Sequence, residues 1–152
     1  MAAINCLEIL FSLYGKVIIP EAVYSELTNN GIPVSGSREV QQAEWIEVKS
    51  VGDRRLVTQI QAEEKLDLGE CEAIVIVLEI KADLLLIDER RGREVANRKG
   101  IKITGLLGIL IEAKQKNMIK MVKPLIDELI ATYQFRLSRS LYDKIMAMVG
   151  EE

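Results

Sequence analysis

The sequence predicts an α/β domain in which short parallel strands alternate with helices. Three short apolar runs, KVIIP, DLLLID and IKITG, have the length and composition of buried strands. Each run precedes a segment whose apolar residues recur at helical spacing, and this alternation is typical of a parallel sheet with helices on both faces. The 152 residues, of which 49% are hydrophobic, are enough for one domain over residues 1–152 with a single core.

The elements of the N-terminal half follow from apolar spacing and turn residues. Apolar residues at positions 4, 7, 10, 11 and 14 predict a helix that Gly15 closes. After the strand KVIIP, Pro20 is expected to start the helix EAVYSELT at its first turn. The segment NNGIPVSGS predicts a loop, and REVQQAEW predicts a helix. WIEVKSV then predicts a strand with alternating apolar residues. DRRLVTQIQAEEK predicts a polar helix with Leu56, Val57 and Ile60 inward.

The C-terminal half continues the alternation. GECEAIVIVLEIK predicts a mostly apolar helix, and DLLLID predicts a fully buried strand. ERRGREVANRKG predicts a helix that ends at Gly100. The strand IKITG then precedes three amphipathic helices: LLGILIEAKQKN, VKPLIDELIATYQF and SRSLYDKIMAMVG.

Composition excludes several kinds of chemistry. The sequence contains no histidine, which excludes Ser–His and Cys–His nucleophiles and the usual zinc ligands. Catalysis would then use carboxylates, lysine, tyrosine or hydroxyls, and carboxylates favour hard metal ions. The net charge of −3 argues against a broad nucleic-acid surface but permits a small local groove.

The same composition indicates a cytoplasmic location. Cys6 and Cys71 lie singly within apolar patterns, as buried reduced thiols do. No apolar run is long enough to cross a bilayer, so no membrane partner is expected. The N-terminal segment lacks the basic region of a signal peptide.

Three carboxylates are predicted near one edge of the sheet, where ligands bind in such folds. Glu26 lies on the helix after KVIIP, Glu70 begins the helix GECEAIVIVLEIK, and Asp88 ends DLLLID. Each also has a structural explanation: Glu26 as a solvated side chain and Asp88 as an N-cap. Glu70 would complete a capping box with Asp67. The apolar helix places its first turn against the sheet, however, so a carboxylate there must be paired, hydrogen-bonded or metal-bound.

Basic residues form two groups. Arginines follow Asp88 on the predicted helix ERRGREVANRKG, where Glu89 and Glu94 would make them part of a solvated surface. Beside a carboxylate–metal cluster the same arginines would instead hold phosphates. The lysines at 114, 116, 120 and 123 predict a second solvated face.

The stretch LDLGECEAIVIVLEIKADLLLIDERRGREVANRKGIKITGLLGILIEAK resembles a branch of the PIN-domain family. It carries a glycine–acid helix start, a strand ending Ile-Asp-Glu-Arg and a Thr-Gly-x-x-Gly helix start. KVIIPEAVYSEL resembles the family's second strand and the helix that carries its glutamate, and KPLIDELIATYQFRLSRSLYDKI fits the same branch. The resemblance covers nearly the whole chain and points to the VapC-like toxin nucleases of prokaryotic toxin–antitoxin pairs.

The resemblance implies a three-layer α/β/α fold with a short parallel sheet, and Mg²⁺- or Mn²⁺-dependent endoribonuclease activity. The family's catalytic, metal-binding carboxylates fall on Glu26, Glu70 and Asp88. Two carboxylate-held metal ions would activate a water and stabilise the leaving oxygen of an RNA phosphodiester.

The resemblance also implies partners. The candidates for contact with RNA phosphates are Arg90, Arg93 and Thr104. Besides the RNA substrate, the implied partners are an antitoxin protein and a second copy of the chain in a homodimer.

The chain departs from the family at its start. The family begins with a central strand that ends in an aspartate, whereas MAAINCLEIL resembles the later part of the helix that follows that strand. The first strand and the first metal ligand are therefore expected to be missing. Either the true start lies upstream, or the flanking strands close together, or another chain fills the slot, because unpaired backbone in mid-sheet is costly.

This departure leaves a second hypothesis open. A truncated, catalytically inactive PIN relative would act as a protein-interaction or dimerisation module. It would bind no Mn²⁺ and cleave no RNA.

Overall fold

The computed structural model describes residues 7–28, 44–133 and 135–152. The helices of this part are α1 (Leu7–Tyr14), α2 (Glu21–Thr28), α3 (Arg54–Glu64), α4 (Leu68–Ile80), α5 (Arg90–Arg98), α6 (Leu106–Gln115), α7 (Lys123–Tyr133) and α8 (Arg139–Val149). The strands are β1 (Val17–Pro20), β2 (Ile46–Lys49), β3 (Leu85–Leu86) and β4 (Ile103–Thr104). The chain divides into two compact units, residues 15–105 and residues 1–14 with 106–152. The single domain over residues 1–152 stays a prediction.

The unit of residues 15–105 contains all four strands, in two parallel pairs. β1 pairs with β2 from Val17 opposite Ile46 onward, and β3 pairs with β4 from Leu85 opposite Ile103. The mixed α/β class with short parallel sheets is therefore confirmed. The sequence predicts one sheet. The described residues form two two-stranded sheets instead, and backbone hydrogen bonds join strands only within each pair.

Helix α4 is the centre of this unit's core. Its apolar residues are buried on nearly every side, as the composition of GECEAIVIVLEIK predicts. Asp67 caps its start, and Lys81 ends it in the left-handed conformation. The buried side chains of α3 and α5 that pack into the same core include Val57, Ile60 and Val95.

Several predictions for this unit need correction. Pro20 is the last residue of β1, paired with Lys49, and α2 begins one residue later. DLLLID is not fully buried: Leu85 is 7% exposed but Leu86 is 40% exposed, because successive side chains of a strand point to opposite faces. The predicted loop NNGIPVSGS and most of the predicted helix REVQQAEW lie outside the described residues.

The other unit is helical in its described part. Helices α6, α7 and α8 share a core that includes Leu110, Ile126 and Ile145. Ser138 caps α8, and Gly150 closes it in the left-handed conformation. Helix α1 ends before Gly15, whose φ of 72° supports the predicted stop.

Cys71 is a free, buried thiol whose pKa is raised to about 11, chiefly by burial, so it is an unreactive core residue. Cys6 lies outside the described residues. Within residues 7–28, 44–133 and 135–152, no helix has the length and hydropathy needed to cross a membrane.

Candidate functional site

The three predicted carboxylates all lie in the unit of residues 15–105. Glu26 is exposed in the second turn of α2, Glu70 lies in the first turn of α4, and Asp88 follows β3. Helix α2 begins directly after β1, so Glu26 and Asp88 both follow the carboxyl end of a parallel strand. Ligands bind at such ends in α/β folds.

Glu70 carries a strongly perturbed carboxyl group. Burial, followed by a hydrogen bond with the Asp67 side chain, raises its pKa from 4.5 to about 7. The negative charges of Asp67, Glu89 and Glu26 add to this shift. Its Oε2 atom is buried and has no hydrogen-bond partner among the described residues. Such a carboxylate favours a proton or a cation, because either one neutralises its charge.

Asp67 is the neighbour that Glu26 and Glu70 share. As predicted, it is the N-cap of α4, and its Oδ1 accepts a hydrogen bond from the Glu70 N–H at 2.8 Å. The pKa of Glu26 is raised by burial and then by the negative charge of Asp67. The sequence indicated only the capping role, so the link between Glu26 and Glu70 through Asp67 is a finding of the structure.

Glu26, Asp67 and Glu70 form a cluster of carboxylates. Gly69 allows α2 and α4 to approach each other closely at this cluster. A Cβ atom on Gly69 would lie 3.6 Å from both Glu26 Oε1 and Asp67 Oδ1, and 3.1 Å from Val23 Cγ2. The two carboxylates therefore flank one small gap. A side chain at residue 69 would press on α2 and reduce the space between the carboxylates.

Two further glycines lie against the other predicted ligands. A Cβ atom on Gly92 would lie 2.6 Å from Glu70 Oε2 and 2.5 Å from Ile87 Cδ1. A Cβ atom on Gly105 would lie 2.8 Å from Asp88 Oδ1. An oxygen of each of these two carboxylates therefore lies within 3 Å of the place where a Cβ atom would be if the glycine were a larger residue.

Asp88 is not the N-cap of α5. Glu89 occupies that position, and its side chain makes no capping hydrogen bond. The backbone at Glu89 is still extended, with φ −64° and ψ 129°, so the helix begins only at Arg90. Asp88 therefore belongs to the turn between β3 and α5.

The three candidates for phosphate contact differ in their surroundings. Arg90 is exposed and donates to Glu94 Oε1 at 3.3 Å. Arg93 is exposed and makes no ion pair within the described part of the chain. Thr104 ends β4, and its carbonyl accepts a hydrogen bond from the Ile87 N–H at 2.9 Å, which places its backbone beside the turn of Asp88.

Two other arginines of α5 are occupied by α3. Arg91 Nε donates to the Glu64 carbonyl at 3.0 Å, and Arg98 Nη2 donates to Glu64 Oε2 at 2.6 Å. The hydrogen bond from Arg98 is the main reason that the pKa of Glu64 is lowered. These two side chains join helices, which leaves Arg90 and Arg93 as the phosphate candidates.

Glu72 is a buried carboxylate that was not among the residues predicted from the sequence. It is 4% exposed, and it accepts hydrogen bonds from the Ala22 N–H at 3.0 Å and from Arg54 Nη1 at 2.7 Å. The signal was present in the sequence, because a charged residue inside the apolar helix GECEAIVIVLEIK must be paired.

The cluster has the chemistry of a hard-metal site. All its donors are carboxylate oxygens, which Mg²⁺ and Mn²⁺ prefer. Glu70 Oε2 is buried without a partner among the described residues, and burial raises the pKa of Glu26 and Glu70, with neighbouring negative charges adding to the shift. A divalent cation would relieve both conditions. In the described ranges, no three Asp, Glu or Cys side chains already converge closely enough to hold a metal ion.

Comparison with protein families gives a match over nearly the whole chain. A family model described as a PIN domain matches residues 1–151. No curated protein and no solved structure matches the chain. PIN domains are in general associated with nuclease activity and divalent metal ions, which agrees with the carboxylate chemistry of the site. Because the match covers nearly the whole sequence, the chain belongs to the PIN-domain family.

Proposed function

We propose that this PIN domain is a Mg²⁺- or Mn²⁺-dependent endoribonuclease of the VapC-like toxin type. Its catalytic and metal-binding residues are Glu26, Glu70 and Asp88. The observation that carries the proposal is the state of Glu70, which has a buried oxygen without a partner in the described residues and a pKa of about 7. Perturbed carboxyls of this kind are concentrated at functional sites.

A bound divalent ion would act as a Lewis acid on the RNA phosphodiester and supply a nucleophilic water at neutral pH. The chain's own residues prepare for this role. Asp67 fixes the first turn of α4 through its hydrogen bond to the Glu70 N–H. Burial removes water from the Glu70 carboxyl, which strengthens its attraction to positive charge. Below about pH 7 a proton occupies Glu70 and competes with the metal ion.

RNA would contact the start of α5. Arg93, which makes no ion pair in the described residues, would donate to a phosphate. Arg90 would give up its ion pair with Glu94 and donate to a second phosphate. Thr104 would contribute its hydroxyl. With a net charge of −3, the protein would bind RNA through a few local contacts, so we expect a shallow salt dependence.

The remaining parts of the proposal follow from the resemblance to toxin nucleases. The protein would act in the cytoplasm as a homodimer, and an antitoxin protein would hold it inactive. Co-expression with the protein encoded beside it would test this, because a cognate antitoxin suppresses cleavage by the toxin.

The direct test is RNA cleavage with and without Mg²⁺ or Mn²⁺. We expect cleavage to require the metal, and Asp88→Asn to lower the rate at least 100-fold with an unchanged circular dichroism spectrum. Asp83→Asn is the matched control, because Asp83 is exposed and precedes the same strand. Full activity of Asp88→Asn would refute the site assignment.

A second candidate function is an inactive PIN relative that acts as a protein-interaction or dimerisation module. The observation that favours it is that no three carboxylates converge within the described residues. Calorimetric titration with Mn²⁺ separates the two. A saturable isotherm that is lost in Glu70→Gln supports the nuclease, whereas an absence of binding supports the module.

A further inference from the structure

We propose that Glu72, paired with Arg54, is a positioning residue that fixes α2 against α4 and so sets the separation of Glu26 and Glu70. The inference deepens the proposed function, because it rests on those two carboxylates as metal ligands. Glu72 itself would contact neither metal nor RNA.

Both oxygens of Glu72 are used to join helices. Oε1 accepts from the Ala22 N–H of α2 at 3.0 Å, and Oε2 accepts from Arg54 Nη1 of α3 at 2.7 Å. The first amides of a helix have no partner inside that helix. Glu72 therefore caps α2 from a neighbouring helix, and its side chain is only 5% exposed.

This cap acts on the part of α2 that carries Glu26. Ala22 and Glu26 are four residues apart and therefore lie on the same face of α2. On α4, Glu70 and Glu72 are two residues apart, so they point to different sides of the helix. One side of α4 thus holds the start of α2 while another carries the predicted ligand.

A second contact supports the same helix pair. A Cβ atom on Gly69 would lie only 3.1 Å from Val23 Cγ2, so α2 and α4 are already in close contact one residue before Glu70. Gly69 limits the distance between the helices, and Glu72 fixes the position of α2 along that contact. Together they determine where Glu26 lies relative to Glu70.

Stability alone does not account for a charge at residue 72. A buried ion pair is often no more stabilising than well-packed apolar side chains of similar volume. An apolar residue would satisfy the surrounding core, but it would leave the Ala22 N–H without an acceptor. Arg54, whose side chain is 55% exposed, compensates the buried charge while it keeps contact with water.

The experiment measures metal binding at the site and the stability of the start of α2 separately. Calorimetry gives the Mn²⁺ affinity of the folded full-length protein, and hydrogen exchange gives the protection of the Ala22 amide. In Glu72→Ala we expect at least tenfold weaker Mn²⁺ binding and at least tenfold faster exchange at Ala22. Glu72→Gln should recover part of both, because its amide oxygen still accepts from Ala22.

Val57→Ala is the matched control for loss of stability. Val57 is 1% exposed on α3, so its truncation weakens the core without touching the Glu72 contacts. We expect its Mn²⁺ affinity to stay at the wild-type value. If Glu72→Ala does not fold, Arg54→Gln replaces it, with an expected loss of Mn²⁺ affinity of at least threefold.

Wild-type Mn²⁺ affinity in Glu72→Ala would overturn the inference and leave the proposed function intact. An equal loss in Val57→Ala, or a glutamine variant as weak as the alanine variant, would also overturn it. A wild-type protein that binds no Mn²⁺ would instead refute the proposed metal site. In that case Ala22 exchange still decides whether Glu72 fixes α2.

Discussion

Glu151 and Glu70, one in each unit of the chain, have carboxyl groups whose pKa values are shifted in opposite directions. In the unit that contains α6, α7 and α8, Glu151 accepts hydrogen bonds from Lys114 Nζ and the Val122 N–H at 2.8 Å, and from the Lys123 N–H at 2.9 Å. Burial alone would raise the pKa of Glu151, but these donors lower it. In the unit of residues 15–105, the pKa of Glu70 is raised to about 7.

Asp127 and Glu26 also have pKa values that are shifted in opposite directions. Its pKa is lowered, first by the hydrogen bond from Tyr142 and then by the one from Lys123. Glu26, by comparison, has a raised pKa, because burial and the charge of Asp67 both disfavour its ionised form. The donors around Asp127 stabilise its charged form, whereas the surroundings of Glu26 destabilise its charged form.

The largest effect is expected where pairing is most complete. Glu151→Gln should lower the free energy of unfolding by about 3 kcal/mol, because it removes a buried charge partner of Lys114. Urea denaturation measures the change. Glu152→Gln, at the exposed neighbouring residue, should change it by less than about 0.5 kcal/mol. Equal midpoints for the two variants would show that the pairing of Glu151 does not stabilise the fold.

The next effect concerns metal binding by the crowded carboxylates. Below the Glu70 pKa of about 7, Mn²⁺ must displace a proton, so its affinity should fall about tenfold per pH unit, or about 1.4 kcal/mol. Titrations between pH 5.5 and 8 in buffers of different ionisation enthalpy would measure both the affinity and the proton release. An affinity independent of pH would exclude Glu70 as the ligand.

The smallest effect is a gain of stability. Between pH 4.5 and 7 folded Glu70 keeps a proton that the unfolded chain has lost, so its contribution favours folding at low pH and is lost as the pH rises through 7. Glu70→Gln should therefore stabilise the metal-free protein by about 1 kcal/mol at pH 8, after allowance for screening by solvent.

Urea midpoints at pH 5 and pH 8 test this last prediction. The wild type should lose stability relative to Glu70→Gln as the pH rises. The lowered pKa values of Glu151 and Asp127 give the opposite slope, with stability lost as the pH falls through them. If Glu70→Gln is less stable than the wild type at pH 8, the destabilising effect assigned to the charged form of Glu70 is wrong.

The sequence was sufficient for the α/β class and for most element positions, because apolar spacing reports which side of each element is buried. It also placed Asp67 as the cap of α4, since capping is a local interaction. It did not show that Leu86 is 40% exposed, because an all-apolar strand gives no sign of which face stays uncovered.

Contacts between side chains that are far apart in the sequence were the main feature that the sequence did not predict. The pairing of Glu72 with Arg54 joins residues 18 positions apart, and no local pattern indicates it. Lys114 was predicted to lie on a solvated face, but its side chain is only 24% exposed and it bonds Glu151. In both cases the contact depends on how helices pack, which spacing along the chain does not determine.

Gly92 has no room for a side chain, because Ile87 Cδ1 and Glu70 Oε2 lie 2.5 Å and 2.6 Å from the position of a Cβ atom there. One methyl group at residue 92 would occupy the position next to Glu70 Oε2, at 2.6 Å. Both neighbours there, Glu70 and Ile87, meet it with the ends of flexible side chains, so α5 would keep its fold while the carboxylate moves aside. Under the proposed function, Gly92→Ala would keep every acidic residue and still lower the rate of RNA cleavage, because it displaces the Glu70 carboxylate.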